Sequence, residues 1–182
     1  MYNPDMFIWI DETGSDRRKE IRRYGYSLRG IPPSCCQPRV SGSRISAIPV
    51  MTARGIESVY TTTGSVNGEE FDHFICTHVL PIIMPFDGIN PRSIVILDNA
   101  SIHRMDRIHD IISGVGAKLW FLPSYSPDLM PLEKVFAKVK QVLRNNDNAY
   151  LSCSNPEELV KLAFCTIIER DSLNYIRNAG YI

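Results

Sequence analysis

In the stretch SIVILDNASIH, residues 93–103, the apolar run Ile94 to Leu97 leads straight into an ionisable Asp98. Four apolar residues in a row read as a strand covered on both faces. A carboxylate at the C-terminal end of such a strand stands where open α/β sheets usually hold their ligands. The pattern occurs twice: MFIWID, residues 6–11, reads as a buried strand ending in Asp11. Two strand-end carboxylates brought side by side would offer hard oxygen donors to a divalent cation. The plainer reading is that Asp98 only caps a turn with Asn99, as Asp-Asn pairs often do. This stretch alone does not choose between them.

The elements that must position these aspartates are legible from pattern. RRYGYSLRG (22–30) alternates loosely and predicts a second strand, and residues 30–42 form a loop by their Pro, Gly and Ser content. Residues 44–64 predict two strands joined by a turn at Arg54-Gly55, the β-branched VYTTT supporting the second. At SVNGEEF the pattern turns helical, with Asn67 as N-cap, Glu70 three residues on as in a capping box, and Phe71, Phe74, Ile75 and Val79 on one stripe. Next come a strand at 93–98, a helix at 104–116 closed by glycine, and a strand at 117–123 stopped by Pro123. A helix at 131–144 carries Leu132, Phe136, Val139 and Leu143 on one face. A last helix at 155–170 starts with Asn155 as N-cap and Pro156 in its first position. If the strands bearing Asp11 and Asp98 pair in parallel, the two carboxylates become neighbours. This order matches an RNase H-like fold, an α/β mixed central sheet flanked by helices, in which a carboxylate cluster binds divalent metal. Several other α/β layouts share it.

Composition narrows the function classes. A chain of 182 residues is normally one domain with a substantial core. There is no run of 18 apolar residues and no basic leader before the first strand, so neither a membrane span nor a signal peptide is expected. The formal net charge is zero, yet DRRKEIRR (16–23) carries five Lys/Arg and EKVFAKVKQVLR (133–144) carries four. The ordinary account of each cluster is a solvated face. Five cysteines with no CxxC pair and no zinc-type spacing read as scattered reduced thiols.

Taken together, WIDETG, RRYGYSLRG, SIVILDNASIH and FLPSYSPDLMPLEKVFAKVK resemble, in order and spacing, the catalytic domain of Tc/mariner-type DDE transposases. The 34 residues between Asp98 and Glu133 are the spacing typical of that superfamily. The resemblance implies that Asp11, Asp98 and Glu133 bind two Mg²⁺ or Mn²⁺ ions. Two such metals, about 3.5–4 Å apart, serve in-line displacement at phosphorus. The attacker would be water in strand cleavage and a DNA 3′-hydroxyl in strand joining. With Pro131 as its first residue, the helix holds Glu133 in third position, where its dipole favours the ionised carboxylate. Asn99 and His103 belong to the DNASIH motif, as substrate contacts or as structural hydrogen bonds. Helical spacing places Glu133, Ala137, Lys140 and Arg144 along one face, so that Lys140 and Arg144 track away from the metals where a DNA backbone could run. Glu12 faces the other way if its strand continues, and Asp128 caps the SPDL turn.

The implied partners are DNA and, on DNA, a homodimer or higher oligomer, with no membrane. The implied location is the nucleus in a eukaryote and otherwise the cytoplasm. The chain is expected to be a single catalytic domain over 1–182, with a core of about 6–146 and a helical extension at 155–182. The family's N-terminal helix-turn-helix DNA-binding domains are not expected in it. That leaves two further readings: a non-catalytic descendant that binds nucleic acid or protein, and an RNase H-type nuclease acting on RNA–DNA hybrids. The family usually reads LPPYSPDLNPIE, and here Ser124 and Met130 depart from it. Met130 cannot accept the capping hydrogen bond of the usual Asn, a loss of about 1 kcal/mol unless Asp128 takes over by shifting the helix start.

Overall fold

A computed structural model describes residues 2–15, 26–31, 44–98, 105–124, 126–146 and 153–182. β1 (Phe7–Ile10) lies at the centre of a mixed sheet, buried along its whole length. It pairs in parallel with β5 (Ile94–Leu97), which pairs in parallel with β6 (Lys118–Phe121). On its other side β1 meets β3 (Ile45–Thr52) antiparallel, and β3 pairs with β4 (Gly55–Thr63) through a tight turn at Ala53-Arg54. Gly55 leaves that turn at a φ of 134°, a region that favours glycine. A short β2 (Thr13–Ser15) also lies against β3.

β1 and β2 keep one register along β3. Ile10 stands opposite Val50 and Thr13 opposite Ala47, which puts Asp11 opposite Pro49. Proline has no N–H to give to the ladder. The strand is thus interrupted at Asp11, and the chain rejoins β3 two residues later.

The sheet has helices on both faces. One face packs Phe7, Trp9, Ile94 and Ile96 against α3 (Leu132–Asn145), α4 (Pro156–Phe164) and α5 (Glu169–Asn178). The other packs Ile8, Ile10, Val95 and Leu97 against α1 (Gly68–Phe74) and α2 (Met105–Gly114). Residues two apart along a strand share a face, so each strand's apolar run feeds both layers.

Several expectations need correction. The strand at 22–30 is not formed over 26–30, where the chain is irregular and then turns; residues 22–25 lie outside the described residues. β2 has no apolar pattern of its own and exists because β3 offers it a ladder. α1 runs on as a π-helical turn over Ile75–Val79. The last predicted helix is two helices, broken between Phe164 and Glu169, where Lys138 of α3 donates to Thr166 O at 3.2 Å and to Asp171 Oδ2 at 2.7 Å. Asn155 precedes α4 without a side-chain capping bond. Pro131 is the N-cap of α3, so Glu133 is second in the helix, not third.

Candidate functional site

The parallel register that pairs Ile10 with Leu97 makes Asp11 and Asp98 the next residues on two hydrogen-bonded neighbours. Alternation then decides their face. Asp11 continues the side of Phe7 and Trp9, and Asp98 that of Ile94 and Ile96. That is the face covered by α3, which carries Glu133 in its first turn. Three carboxylates far apart in sequence thus arrive at one end of one face.

Their electrostatics agree. The Asp11 carboxyl is raised to about 7: burial raises it most, the Glu12 N–H, donating to Asp11 Oδ1 at 2.8 Å, opposes the rise, and the negative charges of Asp98, Glu133 and Glu12 add to it. Like charges close to a partly buried acid disfavour its ionised form. The carboxylates therefore feel one another, although among the described residues no three His, Cys, Asp or Glu side chains stand ready-gathered to hold a metal ion. The donor set nevertheless suits a hard divalent cation, being all carboxylate oxygen. A cation between them would restore the ionised form of Asp11 by opposing the three charges that raise it.

Glu12 plays a supporting part that its sequence position did not advertise. Its side chain turns away from the Asp11 face, as alternation predicts, and accepts from Ser46 Oγ of β3 at 3.0 Å. Arg44 Nη2 stands 3.8 Å from the same oxygen. A Cβ at Gly14 would collide with the Arg44 guanidinium, so glycine there leaves the arginine its place. These contacts anchor the interrupted strand just after Asp11.

The approach to Glu133 is built from backbone. α3 has no side-chain cap, and Asp128 sits in a one-turn 3-10 helix over Pro127–Leu129 without supplying one there either. Met130 N–H donates to Pro127 O at 3.1 Å and Glu133 N–H to Met130 O at 3.2 Å. These bonds satisfy some of the donors that a helix start leaves open. The Met130 side chain is 4% exposed and packs in the core with Leu132 and Phe136.

Along α3, the row Glu133, Ala137, Lys140, Arg144 lies off the buried stripe of Leu132, Val135, Phe136, Val139 and Leu143. Lys140 is half-buried and Arg144 exposed. Asn99 and His103, and the basic stretch 17–23, lie outside the described residues. Cys76 and Cys165 are exposed free thiols.

Residues 6–154 match the family model described as DDE superfamily endonuclease. The chain belongs to that family. Its fold is RNase H-like and is shared with Mos1 mariner transposase. The Mos1 mariner paired end complex with Mn is similar at a TM-score of 0.67 and 15% identity, over 97% of this chain and 53% of that one. The Mos1 strand transfer complex follows at 0.59 and 15%, over 97% and 55%. The Mos1 transposase catalytic domain with Raltegravir and Mg matches at 0.50 and 12%, over 98% and 85%. This DDE endonuclease chain spans about half the length of the first two. No curated protein matches it in sequence. Among its described residues no helix is long and apolar enough to cross a membrane.

Proposed function

We propose that this DDE endonuclease domain performs metal-dependent DNA strand cleavage and strand transfer, with Asp11, Asp98 and Glu133 holding Mg²⁺ or Mn²⁺. The observation that carries the reading is the placement of Asp11 and Asp98 on adjacent parallel strand ends, with the charges of Asp98 and Glu133 acting on Asp11. When bound, two divalent cations supply charge stabilisation to the attacking and leaving oxygens at phosphorus. The chain supplies placement. Strand pairing fixes Ile10 and Leu97, the residues just before Asp11 and Asp98, and the Glu12 N–H orients Asp11 through Oδ1. α3 carries Glu133 in its first turn. Lys140 and Arg144 extend from Glu133 along a row suited to successive backbone phosphates. Asn99 and His103 remain proposed substrate contacts. DNA as substrate, and assembly of two or more copies on it, are supported by the paired-end and strand-transfer complexes among the similar structures.

One observation favours a second reading, a nucleic-acid- or protein-binding module without cleavage. α3 starts without the side-chain cap usual in the family, which loosens the local hold on Glu133. A nicking assay on supercoiled DNA with Mn²⁺, run beside calorimetric Mn²⁺ titration, separates the two. For cleavage, the native chain nicks DNA and binds Mn²⁺, and Asp98→Asn lowers nicking by about 100-fold or more. Absence of both nicking and Mn²⁺ binding in the folded native chain would favour the binding module.

A further inference from the structure

Between two of the three elements that carry the candidate metal ligands, β1 and α3, lies a side chain from a distant part of the sequence. α5 ends in Asn-Ala-Gly-Tyr, and Gly180 adopts a φ of 85°, the left-handed conformation that closes helices. Tyr181 N–H then donates back to Ile176 O at 3.2 Å, the long bond of a Schellman closure. This turn carries the Tyr181 ring over the sheet. There it meets Trp9 edge-on, with centroids 5.4 Å apart at 81°, and Phe7 at 5.4 Å and 63°. Both belong to β1, and Trp9 precedes Asp11 by two residues on the same face.

The other end of the tyrosine reaches the opposite partner. Tyr181 Oη donates to Leu129 O at 3.0 Å, across 52 residues of sequence. Leu129 closes the 3-10 turn, the next carbonyl, of Met130, accepts the Glu133 N–H, and so the bonded path runs from the phenol to the first turn of α3. Burial raises the Tyr181 hydroxyl above its ordinary value, so it keeps its proton and remains a donor at neutral pH. α3 has no side-chain cap, so this phenol is a side-chain hydrogen bond to the segment that leads into Glu133.

We infer that Tyr181 is a positioning residue, which sets the Glu133 turn of α3 against the Asp11 strand by packing edge-on against Trp9 and bonding to Leu129 O. Its effect on cation affinity rests on the proposed role of Asp11, Asp98 and Glu133. Its effect on the turn does not.

Tyr181→Phe keeps the ring and removes the hydroxyl. Two measurements on the full chain test it: amide hydrogen exchange at Met130 and Glu133, and Mn²⁺ affinity by calorimetry, with a thermal melt to confirm folding. The expected result is faster exchange at both amides with exchange in α4 unchanged, and Mn²⁺ binding weakened about fivefold, the worth of one neutral hydrogen bond. Unchanged exchange overturns the inference whatever the affinity. Faster exchange with unchanged affinity overturns the positioning role at the metal ligands. Faster exchange in a chain whose native form binds no Mn²⁺ supports the tie to the turn and removes the metal reading instead.

Discussion

Two helices of this domain begin in opposite ways. At α1 the start is written locally: Asn67 Oδ1 accepts from the N–H groups of Glu69 and Glu70 at 3.0 and 2.9 Å, and Glu70 Oε2 accepts from Asn67 N–H at 2.9 Å. At α3, which carries Glu133, no side chain caps the start and Met130, just before it, is buried in the core. α3 is held instead by tertiary contacts: its buried stripe on the sheet, Lys138 tied to Thr166 O and Asp171, and the Tyr181 bond to the turn before it. A helix fixed by its own first turn tolerates changes elsewhere in the molecule. A helix fixed by its neighbours inherits their positions, which places a carboxylate relative to a sheet but leaves its start sensitive to distant substitutions.

The strongest way to break this contrast is to give α3 the missing cap. Met130→Asn offers an oxygen one residue before the Pro131 N-cap, worth at most about 1 kcal/mol, but removes a buried side chain and buries an amide, so a net loss of about 2 kcal/mol is expected in urea denaturation. A stabilised variant would mean that capping, not packing, governs the start of α3. The matching change at the other helix is Asn67→Ala. It removes both accepted bonds of the capping box and should cost about 1 kcal/mol in the same measurement.

The smallest effect concerns the tie between α3 and α5. The Lys138 ammonium, followed by the Ile168 N–H at 3.1 Å, holds the Asp171 carboxyl below its ordinary 3.8. A carboxylate held low in the folded state contributes stability that is present above its unfolded value and lost as pH falls through its folded one. Asp171→Asn should therefore lower the melting temperature at pH 6, by an equivalent of less than about 1 kcal/mol, with the difference from native shrinking below about pH 4. A difference that stayed constant down to pH 2 would assign the effect to packing rather than charge.

Legibility followed the range of the interactions. The strand ends at Asp11 and Asp98, the β3–β4 hairpin and the capping box at Asn67 rest on alternation, turn chemistry and i to i+3 contacts, all written within a few residues. β2 was not legible because Thr-Gly-Ser has no pattern until β3 lies beside it. The break between α4 and α5 hid inside a continuous helical pattern, since Lys138 and Asp171, 33 residues apart, meet there. Tyr181 gave no sign of a role, although Asn-Ala-Gly does announce the helix closure that aims it. The start of α3 falls one residue later than the pattern suggested, with Pro131 as N-cap and no side-chain capping bond to mark it.

What the residues carried unaided was a candidate donor set: three carboxylates at the spacing of a DDE family, two of them just past the ends of strands. Tertiary structure alone decided that they share a face, because pairing β1 with β5 in parallel and packing α3 on the Phe7–Trp9 side are contacts between segments some 90 and 120 residues apart. It also decided where the β1 strand breaks. Pro49 carries no instruction about Asp11 in the sequence; only the antiparallel register of β1 and β3 sets a residue without an N–H opposite the first carboxylate.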